Sequence, residues 1–294
     1  MREGYVETVN GRISYAAYGE EHRKTPVLVL HGGPGFLSMS DGLEELWAER
    51  PVYFYDQLGC GNSDRAANTD FYSVENYVAE LAVVRAALKL DEVILMGFSW
   101  GCALACAYLT DRGPAGVKSV VLCAPYLSSP AWDADQRRNI ALMPPDIRAA
   151  IEAGEAAGDF GEAYQAAMTA YYEKHLCVLS PWPDSLLAAI SRMNAEVYNS
   201  MWGPSEFTIT GKLRDFDLAP RLAEITQPVL LTCGDRDEAG VATVKEFQLV
   251  FPNAGMAVIP QASHLHHIER PAIFTAILQD FLRDSGRIYG KCVK

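Results

Sequence analysis

No apolar run in this 294-residue chain approaches the roughly 20 residues that a bilayer span requires. A membrane-spanning helix is therefore not expected. The start, Met1-Arg2-Glu3-Gly4-Tyr5, lacks the apolar stretch of a secretory signal, and a cytoplasmic protein is expected. Positive charge is scarce: 25 Lys and Arg face 37 Asp and Glu, a formal net charge of −12. Nucleic acids and anionic membranes need clustered cations, so neither is an expected partner. The seven cysteines are an odd number with no Cys-x-x-Cys pair. Cys102, Cys106, Cys123 and Cys233 sit in apolar runs, which predicts buried reduced thiols and no disulfide framework. There is no His-Glu-x-x-His and no second His/Cys cluster beside His264, His266 and His267, so no metal site is expected. Gly-x-Gly-x-x-Gly spacing and a P-loop lysine are also missing, which disfavours phosphate binding.

What remains is an ordinary globular composition, 49% hydrophobic and 21% charged. The length fits about two domains of roughly 150 residues, or one large α/β domain with an insertion. Asn10-Gly11 between two strand-like segments predicts a type I′ hairpin. Unbroken apolar runs at 26–30, 52–55, 93–96, 119–123, 229–233 and 256–259 read as strands buried on both faces. Helical stretches at 74–90, 100–109 and 272–282 alternate with them, which predicts a mostly parallel sheet covered on both sides. Residues 129–225 break that rhythm. Prolines at 130, 144, 145, 181, 183 and 204 and the lack of β runs predict several short helices folded over the sheet. The predicted division is a core of 1–128 and 226–294 with a helical cap of 129–225. The tail 287–294 reads as short, basic and loosely ordered.

Gly97-Phe98-Ser99-Trp100-Gly101 carries the strongest chemical signal. It follows a buried strand and opens a helix rich in small residues. A serine on so sharp a turn is exposed at the helix start, and glycines two positions to either side remove the clash. A serine hydroxyl needs a base to become a nucleophile. Asp237 follows the apolar run 229–233 and His264 follows the next run, 256–259, in the order serine, acid, histidine. Asp235, His266 and His267 are local competitors that periodicity does not separate. In His31-Gly32-Gly33-Pro34-Gly35, the Gly33 amide with the Trp100 amide would form an oxyanion hole. The stretch from Asp56 to Asp64 reads from its composition as turns.

Together, His31-Gly32-Gly33-Pro34-Gly35, Asp56-Gln57-Leu58-Gly59-Cys60-Gly61-Asn62-Ser63-Asp64 and Ser99-Trp100-Gly101 resemble the proline iminopeptidases of the α/β-hydrolase superfamily. The resemblance runs over essentially the whole chain. It implies an α/β-hydrolase fold and a serine aminopeptidase that takes an N-terminal residue from short peptides, amides or arylamides. It implies no metal and no organic cofactor. It assigns Ser99, Asp237 and His264 as the triad. It also assigns Glu206, in a cap stretch like that of the tricorn-interacting branch, and Glu238 as the pair that holds the substrate's α-amine. The family usually carries glycine before the nucleophile. This chain carries Phe98, whose ring would narrow or re-line the pocket. Trp100, Tyr126 and Trp202 are aromatics that could shape an apolar pocket. The rival readings are an amino-acid amidase or esterase on the same scaffold, and a non-catalytic receptor. A base with an ordinary histidine pKa near 6.5 predicts activity that falls in acid.

Overall fold

The computed structural model describes residues 1–283. The seventh cysteine, Cys292, and the tail 287–294 lie outside them. Eight strands form one sheet: β1 (Arg2–Thr8), β2 (Gly11–Tyr18), β3 (Val27–Leu30), β4 (Val52–Tyr55), β5 (Val93–Phe98), β6 (Val117–Cys123), β7 (Val229–Gly234) and β8 (Ala254–Ile259). Their order is β1-β2-β4-β3-β5-β6-β7-β8. The pairs from β4 to β8 are parallel, and β1 and β2 add an antiparallel edge.

The apolar runs are continuous because successive side chains feed two different cores. Leu28, Leu30, Val93 and Leu95 point into one core. It is closed by α2 (Val74–Ala87), α3 (Trp100–Arg112) and α9 (Val241–Val250). Val27, Val29, Ile94 and Met96 point into the other, under α1 (Glu44–Trp47) and α11 (Pro271–Arg283). The six described cysteines are all buried and unpaired. Among the described residues no helix is long and apolar enough to cross a membrane.

One local expectation is corrected. Thr8 pairs with Gly11, so the two loop residues are Val9 and Asn10, and neither has a positive φ. A type I′ turn requires positive φ at both. Gly11 instead takes φ +134° within the strand, so the glycine serves the backbone one position later than the Asn-Gly pattern predicts.

Small residues let α3 lie close to the sheet. A Cβ on Gly101 would sit 2.0 Å from the Leu30 carbonyl oxygen and 2.9 Å from that of His31. Both are backbone atoms and cannot rotate away. Gly101→Ala is expected to destabilise the protein by roughly 2–3 kcal/mol, read from the urea midpoint. A midpoint equal to the parent's would mean that the loop after β3 yields freely.

Glu80 on α2 is buried. One carboxylate oxygen accepts the Leu58 amide at 3.1 Å and the other has no partner. Burial raises its pKa to about 8. The unfolded chain ionises first, near the ordinary glutamate value, while the folded chain keeps the proton. Stability therefore falls as pH rises from about 4.5 to about 8. Glu80→Gln should flatten that slope and add roughly 1–3 kcal/mol at pH 8, measured by denaturation at pH 5 and pH 8.

Residues between β6 and β7 form α4 (Ser129–Ala141), α5 (Pro145–Ala157), α6 (Glu162–His175), α7 (Asp184–Arg192) and α8 (Ala195–Met201). The neck of this excursion closes where Ser128 bridges Asp217 and the Ser129 amide bonds the Phe216 carbonyl. The short helix Ala219–Glu224 lies beyond that neck and packs on α3 and α9.

Candidate active site

The loops that leave the C-terminal ends of β3, β5, β7 and β8 carry His31, Ser99, Asp237 and His264 in turn. That is the end of a parallel sheet where ligands bind. Ser99 has φ +49° and ψ −115°, a strained conformation for a non-glycine residue. Its amide donates to the Cys123 carbonyl at 2.9 Å and its carbonyl accepts from the Cys102 amide at 2.9 Å. A Cβ on Gly97 would lie 2.5 Å from the Gly101 carbonyl, so the turn can be this tight only with glycine there.

Three-dimensional position separates the competitors that sequence left open. His264 Nδ1 lies 2.7 Å from Asp237 Oδ1. Asp237 also accepts the Gly234 amide at 3.1 Å and the Ala239 amide at 2.9 Å, which holds its carboxylate in place. Asp235 is exposed and accepts the Ala262 amide. His266 turns its Nε2 to Thr232 Oγ1 at 2.9 Å. The His267 ring packs 4.4 Å from that of Phe98. Burial drives His267 well below the usual histidine range and lowers His266 to about 4.

The end of α6 ties the two loops together. The His175 carbonyl accepts the His264 amide at 3.0 Å, and its ring Nδ1 lies 2.9 Å from the Arg236 carbonyl. Burial alone would push the His264 pKa down. The Asp237 carboxylate, aided by Glu238 and Glu206, outweighs it and raises the imidazole to about 9. The acid limb expected near an ordinary histidine value is thereby moved upward.

Ser99, His264, Glu206 and Gly33 face one cavity of about 290 Å³ between the sheet and the helical insertion. Ser99 Oγ and His264 make no hydrogen bond to each other among the described residues. Such contacts are often long before a substrate binds. The Gly33 and Trp100 amides likewise find no acceptor among the described residues.

Glu206 is held by three aromatic side chains from three helices. Tyr198 donates its hydroxyl to Oε1 at 2.6 Å, the Tyr172 hydroxyl accepts the Glu206 amide at 3.1 Å, and the Trp132 indole donates to its carbonyl at 2.8 Å. Burial raises the Glu206 carboxyl, while the Tyr198 bond and the charge on His264 oppose the rise. Glu238 is fully buried, and neither of its carboxylate oxygens has a hydrogen-bond partner. Burial lifts its pKa well above the ordinary range, with Glu206 and Asp237 adding to the rise and His264 opposing it. No Lys or Arg lines the cavity among the described residues.

The aromatic lining differs from expectation. The side chains of Trp100, Tyr126 and Trp202 pack in the core and do not line the cavity; those of Phe36, Phe98, Tyr172, Trp182 and Tyr198 do. An aromatic in an irregular, proline-rich segment carries no periodic signal of which face it will take. Phe98 is the exception, since its place beside Ser99 marks it in the sequence.

A family model described as the alpha/beta hydrolase fold matches residues 25–271. A proline iminopeptidase of Heyndrickxia coagulans is 42% identical over 283 residues, which is 95% of this chain and 98% of that one. This chain belongs to the proline iminopeptidases of the α/β-hydrolase fold. The crystal structure of a proline iminopeptidase from Mycobacterium smegmatis superposes with a TM-score of 0.88 at 31% identity, covering 97% of this chain and 99% of that one. The crystal structure of VinJ gives 0.90 at 34% identity, covering 96% and 98%.

Proposed function

We propose that this chain is a serine aminopeptidase that releases an N-terminal proline, or another small apolar residue, from short peptides and aminoacyl amides. The observation that carries the reading is the buried Glu206 carboxyl facing a cavity without Lys or Arg among the described residues. It is backed by the buried, unpartnered carboxylate of Glu238, which does not itself line the cavity but lies near enough for its charge to act on Glu206 and His264. A buried carboxylate without a partner is costly unless a cation arrives to pair with it. A peptide's α-ammonium is such a cation. Held there, it sets the first peptide carbonyl at Ser99.

Ser99 Oγ attacks that carbonyl as His264 takes its proton. The Gly33 and Trp100 amides receive the oxyanion, and Asp237 orients the imidazole and stabilises its charged form. His264 then protonates the leaving amine. In the second half, it deprotonates the water that frees the acyl group. The arriving ammonium also counters the negative charge of Glu206 and Glu238, two of the causes that raise His264. Substrate binding thus lowers the proton affinity of the imidazole and readies it as a base.

The reading of 129–225 as a cap over a core of 1–128 and 226–294 is supported by α6, α7 and α8, which roof the cavity, whereas Ala219–Glu224 packs on core helices and favours a cap that ends at the Ser128–Asp217 neck. The six buried, unpaired cysteines among the described residues support a cytoplasmic enzyme, and the net charge of −12 supports one with neither a nucleic-acid nor a membrane partner. The test compares prolyl-arylamide, its N-acetyl form and an acyl ester without an amine. N-acetylation should abolish turnover. An uncharged ester hydrolysed as fast as the aminoacyl substrate would replace this reading with that of an esterase.

A further inference from the structure

The loop after β4 takes no part in the mechanism above, yet its Gln57 is fully buried beside the nucleophile helix. Three hydrogen bonds tie Gln57 to His31 and Trp100. Its amide N–H donates to His31 Nε2 at 3.1 Å, its side-chain nitrogen donates to the His31 carbonyl at 3.4 Å, and its Oε1 accepts the Trp100 indole N–H at 2.9 Å. The indole can only donate, so the oxygen of the Gln57 amide must face it.

The same logic sets the proton on His31. Nε2 faces a backbone donor and must accept, so the proton sits on Nδ1 and is given to the Gly32 carbonyl at 2.9 Å. Burial lowers the His31 pKa, in keeping with a neutral ring. The Gly32–Gly33 peptide is planar, so its N–H points opposite to its C=O. Fixing the Gly32 carbonyl towards His31 therefore turns the Gly33 N–H away from the ring. Gly33 has φ +47°, and its amide is free for a ligand among the described residues.

We propose that His31 and Gln57 are positioning residues that aim the Gly33 amide and lock it in register with Trp100, the two donors of the oxyanion hole. The proposal rests on the serine-hydrolase reading above. Without the His31 bond the Gly32–Gly33 peptide is free to flip, which would replace a donor by a carbonyl oxygen in the hole.

Two variants of His31 separate positioning from bulk structure. An asparagine amide nitrogen can take the place of Nδ1, whereas glutamine reaches only the place of Nε2. His31→Gln should lower kcat about 100-fold with little change in KM, the loss expected for one oxyanion donor. His31→Asn should keep kcat within about fivefold of the parent. Gln57→Leu should resemble His31→Gln. Affinity for prolinal, whose adduct with Ser99 carries the tetrahedral oxygen, should fall with kcat in each variant. Affinity for prolinol, which forms no adduct, should not change. Equal losses in His31→Asn and His31→Gln, or a loss of prolinol affinity that matches the loss of kcat, would overturn the proposal. An acyl ester assayed in parallel reads the same hole without the amine site, so a failure of the aminopeptidase reading remains distinguishable.

Discussion

Ser99→Ala is expected to lower kcat by roughly 10⁴- to 10⁶-fold, because the nucleophile and its base act as a unit and the oxyanion donors alone retain little rate. The same variant should lose all labelling by a fluorophosphonate. Stability should change little: alanine feels the same positive φ as serine, and the bonds that pin the turn are made by the Ser99 backbone. The measurements are single-turnover hydrolysis of prolyl-arylamide, intact mass after labelling, and a thermal midpoint. A variant that still forms a covalent adduct would remove Ser99 as the nucleophile and favour another residue of the cavity.

Glu238→Gln should lower kcat/KM for aminoacyl substrates by roughly 10- to 100-fold, the value of one hydrogen bond to a charged group. Glu206→Gln should cost a similar factor, and the double variant more than either. An ester without an amine should be spared in all three. The stability effect of Glu238→Gln has the opposite sign. The folded-state pKa of Glu238 is raised, so the unfolded chain ionises first and stability falls as pH climbs above the ordinary glutamate range. Removing the ionisable group should therefore raise the thermal midpoint at neutral pH while activity drops. A gain in stability at the expense of function is the signature of a carboxylate held for a ligand. A third readout follows from His264. Glu238 is one of the groups that raise it, so in Glu238→Gln the acid limb of kcat/KM should move to lower pH. Glu238→Gln acting with equal force on ester and aminoacyl substrates would show that the pair does not hold the amine.

Much of the core was legible because a parallel sheet covered on both faces demands unbroken apolar strands. Runs such as 27–30 and 52–55 leave few alternatives. The nucleophile turn was equally legible, since Gly97 and Gly101 answer a steric demand that no larger residue meets. The hairpin turn was misread by one residue. The pairing of Thr8 with Gly11 in the sheet set its register, and the local Asn-Gly preference did not prevail.

Chain order and residue type determined that a serine, an acid and a histidine would follow three strands of one sheet, β5, β7 and β8. The Gly-rich loop could be named from its motif, and the acidic pair only through the family resemblance. Only the tertiary structure decided that His264 hydrogen-bonds Asp237 at 2.7 Å, while His266 stands back at 3.8 Å with its Nε2 on Thr232 and His267 packs on Phe98. Three histidines within four positions share one local pattern, and their different roles come from contacts made by distant segments. The same holds for Gln57, whose partners His31 and Trp100 lie 26 and 43 positions away. Side-chain direction in a loop is set by what packs against it, and a linear pattern carries no record of that contact.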